Sequence, residues 1–143
     1  MKKLTRLSLL CAVPMLAAAM AMPAMASPGP DIKTGADLVK ACQLSVAGDK
    51  SQSGRISATA CNQYLAGVVV AVANSAEAGK PLMLYRLGAE HNESVCFRLP
   101  DVLKYEEFAG LVVDYAKAHP ELETRPAVEL AGRSLSNKYP CPE

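Results

Sequence analysis

One run, residues 57–78 (SATACNQYLAGVVVAVANSAEA), restricts the fold more than any other stretch. From Leu65 to Ala73 no side chain is polar, so about two and a half helical turns are apolar on every side. Cys61, Leu65, Val68 and Val72 recur on one face of a 3.6-residue period, and Tyr64 widens that face. Ser57 reads as the N-cap, and Gly79, Lys80 and Pro81 read as the stop. A helix apolar all round is ordinarily buried all round. Two arrangements satisfy that. The helix is the centre of a bundle, or its own domain covers one side and a second copy covers the other. In the second arrangement Val68, Val69, Val70 and Val72 form the dimer interface, and the small Ala66, Gly67, Ala71 and Ala73 let another helix come close. The apolar run is too short to span a bilayer, which takes about twenty apolar residues.

The N-terminus predicts export. Lys2, Lys3 and Arg6 precede a largely apolar stretch, and Ala24-Met25-Ala26 is an A-x-A cleavage site. Residues 1–26 therefore read as a cleaved signal peptide of bacterial type, with the periplasm as destination and residues 27–143 as the mature domain. Without Lys2, Lys3 and Arg6 the basic side chains fall from 15 to 12, against 14 acidic ones, a formal net charge near −2. No basic run survives, which argues against a nucleic-acid partner. After cleavage no membrane association is expected either. Of the five cysteines, Cys11 goes with the signal, leaving Cys42, Cys61, Cys96 and Cys141. An even count in an exported small domain predicts disulfides. A zinc site wants close pairs such as C-x-x-C, and a c-type haem wants C-x-x-C-H; neither motif is present. No metal and no cofactor is expected.

Residues 27–33 (SPGPDIK) read as a frayed leader, and Thr34 to Asp37 as a capping box opening a helix to about Ser45. Residues 48–55 read as a polar loop. Residues 81–99 have no sustained period: 81–87 is extended or a short helix, and 88–94 is turn-like. Phe108, Leu111, Val112 and Tyr115 predict an amphipathic helix ending at His119-Pro120. Thr124 caps a last helix with Val128, Ala131 and Leu135 inward, and residues 137–143 form a tail. With no credible strand pair, the expected fold class is all-α: a small single-domain bundle of about four helices stapled by two disulfides.

No catalytic constellation is visible. His91 and His119 fall on different loops, and there is no G-x-S-x-G, H-E-x-x-H or phosphate-cradling loop. Glu106-Glu107 and Glu121/Glu123 read as helix-terminal charge favoured by the macrodipole. The chain reads as a binding protein, not an enzyme.

Several stretches then line up in a recognisable order. Gly35 to Leu38 leads to Cys42, Cys61-Asn-Gln-Tyr64 leads to Gly67, and Cys96 leads to Pro100. His119-Pro-Glu121 and Tyr139-Pro-Cys141 follow. This order resembles the Rap/Tai family of periplasmic immunity proteins, over almost all of the mature chain. The connection at residues 79–95 is long for that family. The resemblance implies a small helical protein that often dimerises. It also implies a partner: a cell-wall-degrading toxin delivered by type VI secretion, commonly a peptidoglycan amidase, whose active-site groove is covered. The competing reading is an acid-stress chaperone of the HdeA kind or another non-enzymatic envelope protein, although no dedicated acid switch is visible.

Four cysteines allow three connectivities. Cys42–Cys61 is expected because a helical hairpin brings consecutive helices together, and Cys96–Cys141 because it ties the tail to irregular chain. Partner contacts are expected from Tyr85, Arg86, His91 and Asn92, in a segment that follows a hard helix stop and lacks core periodicity; tyrosine and arginine are favoured at interfaces.

Overall fold

A computed structural model describes residues 29–76 and 80–142 of the chain. The expected signal peptide, and Gly79 of the expected helix stop, lie outside the described residues.

The first helix, α1 (Gly35–Val46), opens on the capping box read from the sequence: Thr34 Oγ1 accepts from the Asp37 N–H, and Asp37 accepts from the Thr34 N–H at 2.9 Å. The Thr34 N–H and hydroxyl hold the Asp37 carboxyl below its ordinary value. Gly35 allows a close approach at this end. A Cβ there would run into the Leu122 carbonyl oxygen.

The second helix, α2 (Gln52–Ser75), starts earlier than expected, with Ser51 rather than Ser57 as N-cap. Ser51 Oγ accepts the Gly54 N–H at 3.0 Å. The polar residues Gln52, Ser53 and Arg55 are an exposed first turn, not a loop. Leu38, Val39 and Cys42 of α1 meet Cys61, Leu65, Val68 and Val72 of α2 in one core. The Cys42–Cys61 disulfide joins the two helices. As a whole α2 is long and apolar enough, by length and composition alone, to cross a bilayer. Its inward face packs instead on the other helices.

The third helix, α3 (Tyr105–Ala118), buries Phe108, Ala109, Val112, Val113 and Ala116. That face is rotated from the expected one, leaving Leu111 and Tyr115 at its edge. A 3₁₀ segment (Pro120–Thr124) follows, and then α4 (Ala127–Lys138), with Pro126 rather than Thr124 as N-cap. This last helix takes in Asn137 and Lys138, so the tail is shorter than expected.

The all-α expectation is overturned. Between α2 and α3 the chain forms an antiparallel hairpin of β1 (Leu82–Leu87) and β2 (Glu93–Phe97). Leu82 pairs with Phe97 and Leu84 with Val95 on the inward face, where Leu84 and Val95 lie over Gly132 of α4. Short β-branched and leucine-rich segments gain little as isolated strands but are stable when one face packs on a helix. Two bonds tie β2 and the residue after it to α4 and its C-cap: Ser136 donates to the Cys96 carbonyl at 2.8 Å, and the Arg98 N–H donates to the Tyr139 carbonyl at 2.9 Å. The second disulfide, Cys96–Cys141, closes the same junction.

Candidate functional site

The hairpin turns through residues 88–92, and its tip carries most of the unusual backbone in the described chain. The register slips between Tyr85 and Leu87, so Arg86 forms a bulge. Arg86 and His91 have φ of 61° and 53°, the non-glycine residues with positive φ among those described, and Gly88 has φ of 79°. A left-handed conformation costs a non-glycine residue roughly 1–2 kcal/mol. Such residues persist only where their surroundings hold them. Here the Arg86 carbonyl lies 3.2 Å from His91 Nδ1, and the His91 N–H donates to the Gly88 carbonyl at 3.3 Å.

All four side chains expected to meet a partner, Tyr85, Arg86, His91 and Asn92, are exposed on or beside this tip. Tyr85, at 66% exposed, is among the most exposed large apolar side chains described. Leu82, Leu84 and Leu87 turn the other way, into or against the core.

Beneath the tip lies a group of charges that the sequence reading missed. Glu129 of α4 is buried at 2% exposure. Its carboxylate accepts the Gly88 N–H at 3.1 Å, Arg133 Nε at 3.0 Å and Arg125 Nε at 3.2 Å. Burial alone would push this carboxyl up. The Arg133, Gly88 and Arg125 donors outweigh it, and the net shift is downward. Arg133 also pairs with Glu93 at the start of β2. Burial disfavours the charge on Arg133, but Glu93 and Glu129 outweigh it and raise the guanidinium's pKa. These side chains line a cleft of about 460 Å³ whose other wall is Tyr115 stacked on His119, ring centres 4.2 Å apart, with Glu121 3.1 Å from His119 Nδ1. Arg125, Glu129 and Arg133 recur every fourth residue. That spacing could have flagged ion pairs one turn apart, but not that Glu129 at their centre is buried while the two arginines stay partly exposed.

The residues expected at a dimer interface divide. Val68 and Val72 are buried in the chain's own core, Val69 packs partly against it, and Val70 is 55% exposed. The opposite side of α2 is bare among the described residues: Gly67, Val70, Ala71 and Ala73 are all exposed. Beside it, Gly67, Ala71, Tyr64, Leu84 and Val128 border an apolar groove of about 310 Å³. Among the described residues, no group of three or more His, Cys, Asp or Glu side chains is placed to hold a metal ion.

No curated protein and no solved structure gives a significant match to the chain. A family model does: that of the Rap1a immunity proteins matches residues 34–141, from the Thr34 cap of α1 to Cys141 of the second disulfide. The chain is thus a member of the Rap1a immunity protein family.

Proposed function

We propose that the chain is a periplasmic immunity protein that binds a cell-wall-degrading toxin delivered by type VI secretion, a peptidoglycan amidase, and covers its active-site groove with the hairpin tip. Family membership supports the immunity role. The observation that carries the site is the tip itself: an irregular turn holding Arg86 and His91 in left-handed backbone, with Tyr85 beside it and exposed. Interface energy concentrates in anchors of this type, tyrosine and arginine above all. Blocking needs no chemistry from the inhibitor, only a rigid element of the right shape. The bare face of α2 has a different use in this reading. Its exposed Val70 and neighbouring small residues suit a second copy of the chain, so the protein acts as a homodimer.

The test is protection of living cells. A peptidoglycan-amidase effector directed to the periplasm should lyse cells, and co-production of the full chain should prevent lysis. A chain lacking residues 1–26 should not protect. If neither form protects against amidase effectors, the toxin class is wrong. If both protect equally, the periplasmic assignment fails.

A further inference from the structure

We infer that Glu129 and Arg133 are positioning residues for the hairpin tip, fixing the turn from below so that it meets its partner already shaped. The inference rests on the reading above that the tip contacts the toxin, and it adds two residues that touch no partner in that reading.

The geometry supports it at both feet of the turn. At the entry, Glu129 accepts the Gly88 N–H, a contact between residues 41 apart in sequence and buried from water. At the exit, Arg133 binds the Glu93 carboxylate while also binding Glu129. One helix, α4, therefore holds both ends of the turn through one charged pair. Gly88 suits this place because its φ of 79° favours glycine, and a Cβ there would also push the Glu93 side chain aside. Between the two feet stands His91, and just before the entry stands Arg86; the backbone of both is unfavourable unless something enforces it. Other side-chain bonds of the tip, His91 Nδ1 with the Arg86 carbonyl and Asn92 with Glu90, are exposed to competition from water. The buried link to Glu129 is not. Its carboxylate is ionised, and a charge-assisted bond to a backbone N–H is stronger than a neutral one.

A simpler account makes the pair part of general packing. In that case removing it lowers stability everywhere and leaves the tip no looser than the rest. The two accounts differ in where protection is lost. They also differ in how binding is lost. A turn that is in the competent shape for only a fraction of the time binds with a dissociation constant raised by the inverse of that fraction. The loss then falls on the association rate.

The experiment uses the mature chain in two variants, Glu129→Ala and Glu93→Ala. Glu93 is half exposed, so its removal leaves the Glu129–Arg133 pair in place and keeps the test open if Glu129→Ala does not fold. The first readout needs no partner: amide hydrogen exchange at Gly88 and His91, compared with the core amides of Leu65 and Val112. We expect the tip amides to exchange at least tenfold faster while the core amides are unchanged. Equal acceleration at tip and core, or none at the tip, overturns the inference whatever the partner is. The second readout is binding to a purified amidase effector that wild type inhibits. We expect an association rate about tenfold lower with the dissociation rate unchanged, whereas Tyr85→Ala should speed dissociation. A loosened tip with unchanged binding overturns the positioning role if Tyr85→Ala weakens binding. If Tyr85→Ala also binds normally, the contact site itself is wrong.

Discussion

Leu84 and its neighbour Tyr85 face opposite sides of the hairpin: Leu84 lies against Gly132 of α4, and Tyr85 stands 66% exposed. Their alanine variants should therefore fail in different ways. Leu84→Ala should lower stability by about 2 kcal/mol, at the low end for leucine because the side chain is only partly buried. Tyr85→Ala should change stability by no more than about 0.5 kcal/mol, yet weaken toxin binding by about 1–3 kcal/mol. Thermal melts and binding isotherms on the two variants check this. Unfolding of Tyr85→Ala would return the segment to a purely structural role.

This pair also shows why the hairpin was hard to read. A strand announces itself by alternation, but the bulge at Arg86 shifts the inward set from Leu82 and Leu84 to Leu87, breaking the period after two repeats. The backbone signals give little help, since the bulge and the turn place arginine and histidine, not only glycine, at positive φ. The four helices were legible because each buries a face that recurs at 3.6 residues. Their starts were less so. Both Ser51 and Ser57 are competent caps, and local sequence does not choose between them. At the site, the exposed residues of the tip could be named from their types and their place after a helix stop. Glu129 could not, because a carboxylate between two arginines on a helix ordinarily reads as a solvated ion pair.

Acid should destabilise the fold, and the sign follows from Glu129. Its folded carboxyl is held below the ordinary value, so the stability it contributes is complete above the unfolded pKa of about 4.3 and is lost as pH falls through the folded pKa. Asp37 and Asp49, held low by backbone N–H donors at Thr34 and Ser51, act in the same direction. Melting temperature should be nearly flat from pH 7 to about 5 and fall below that range, with a shallower fall in Glu129→Gln. A melting temperature that rises on acidification would contradict the ionised, paired Glu129.

The two sides of α2 should respond differently to the same substitution. Val68→Glu places a charge in the chain's own core and should prevent folding, at a cost of several kcal/mol. Val70→Glu falls on the exposed side, so the monomer should fold normally. If a second copy covers that side, wild type should run as a dimer and Val70→Glu as a monomer in size-exclusion with light scattering. A wild-type monomer at roughly tens of micromolar would leave the bare face of α2 without its proposed occupant.

Removing the disulfides should cost in order of the loops they close. Cys42–Cys61 spans 19 residues and Cys96–Cys141 spans 45. Loop entropy puts their contributions at about 3 and about 4 kcal/mol. Denaturant unfolding of the Cys42→Ala/Cys61→Ala and Cys96→Ala/Cys141→Ala variants gives both values. Non-reducing peptide mapping should recover the same two pairs, and a Cys42–Cys96 peptide would contradict the fold at the α1–α2 junction.

The most direct measurement is a titration of amidase activity. Peptidoglycan hydrolysis by a purified effector would be followed as the mature chain is added, alongside its Tyr85→Ala/Arg86→Ala variant. Blocking of the groove by the hairpin tip predicts that wild type abolishes hydrolysis near stoichiometric ratio, while the folded double variant needs at least tenfold more protein. Equal inhibition by both proteins would contradict the tip as the blocking element.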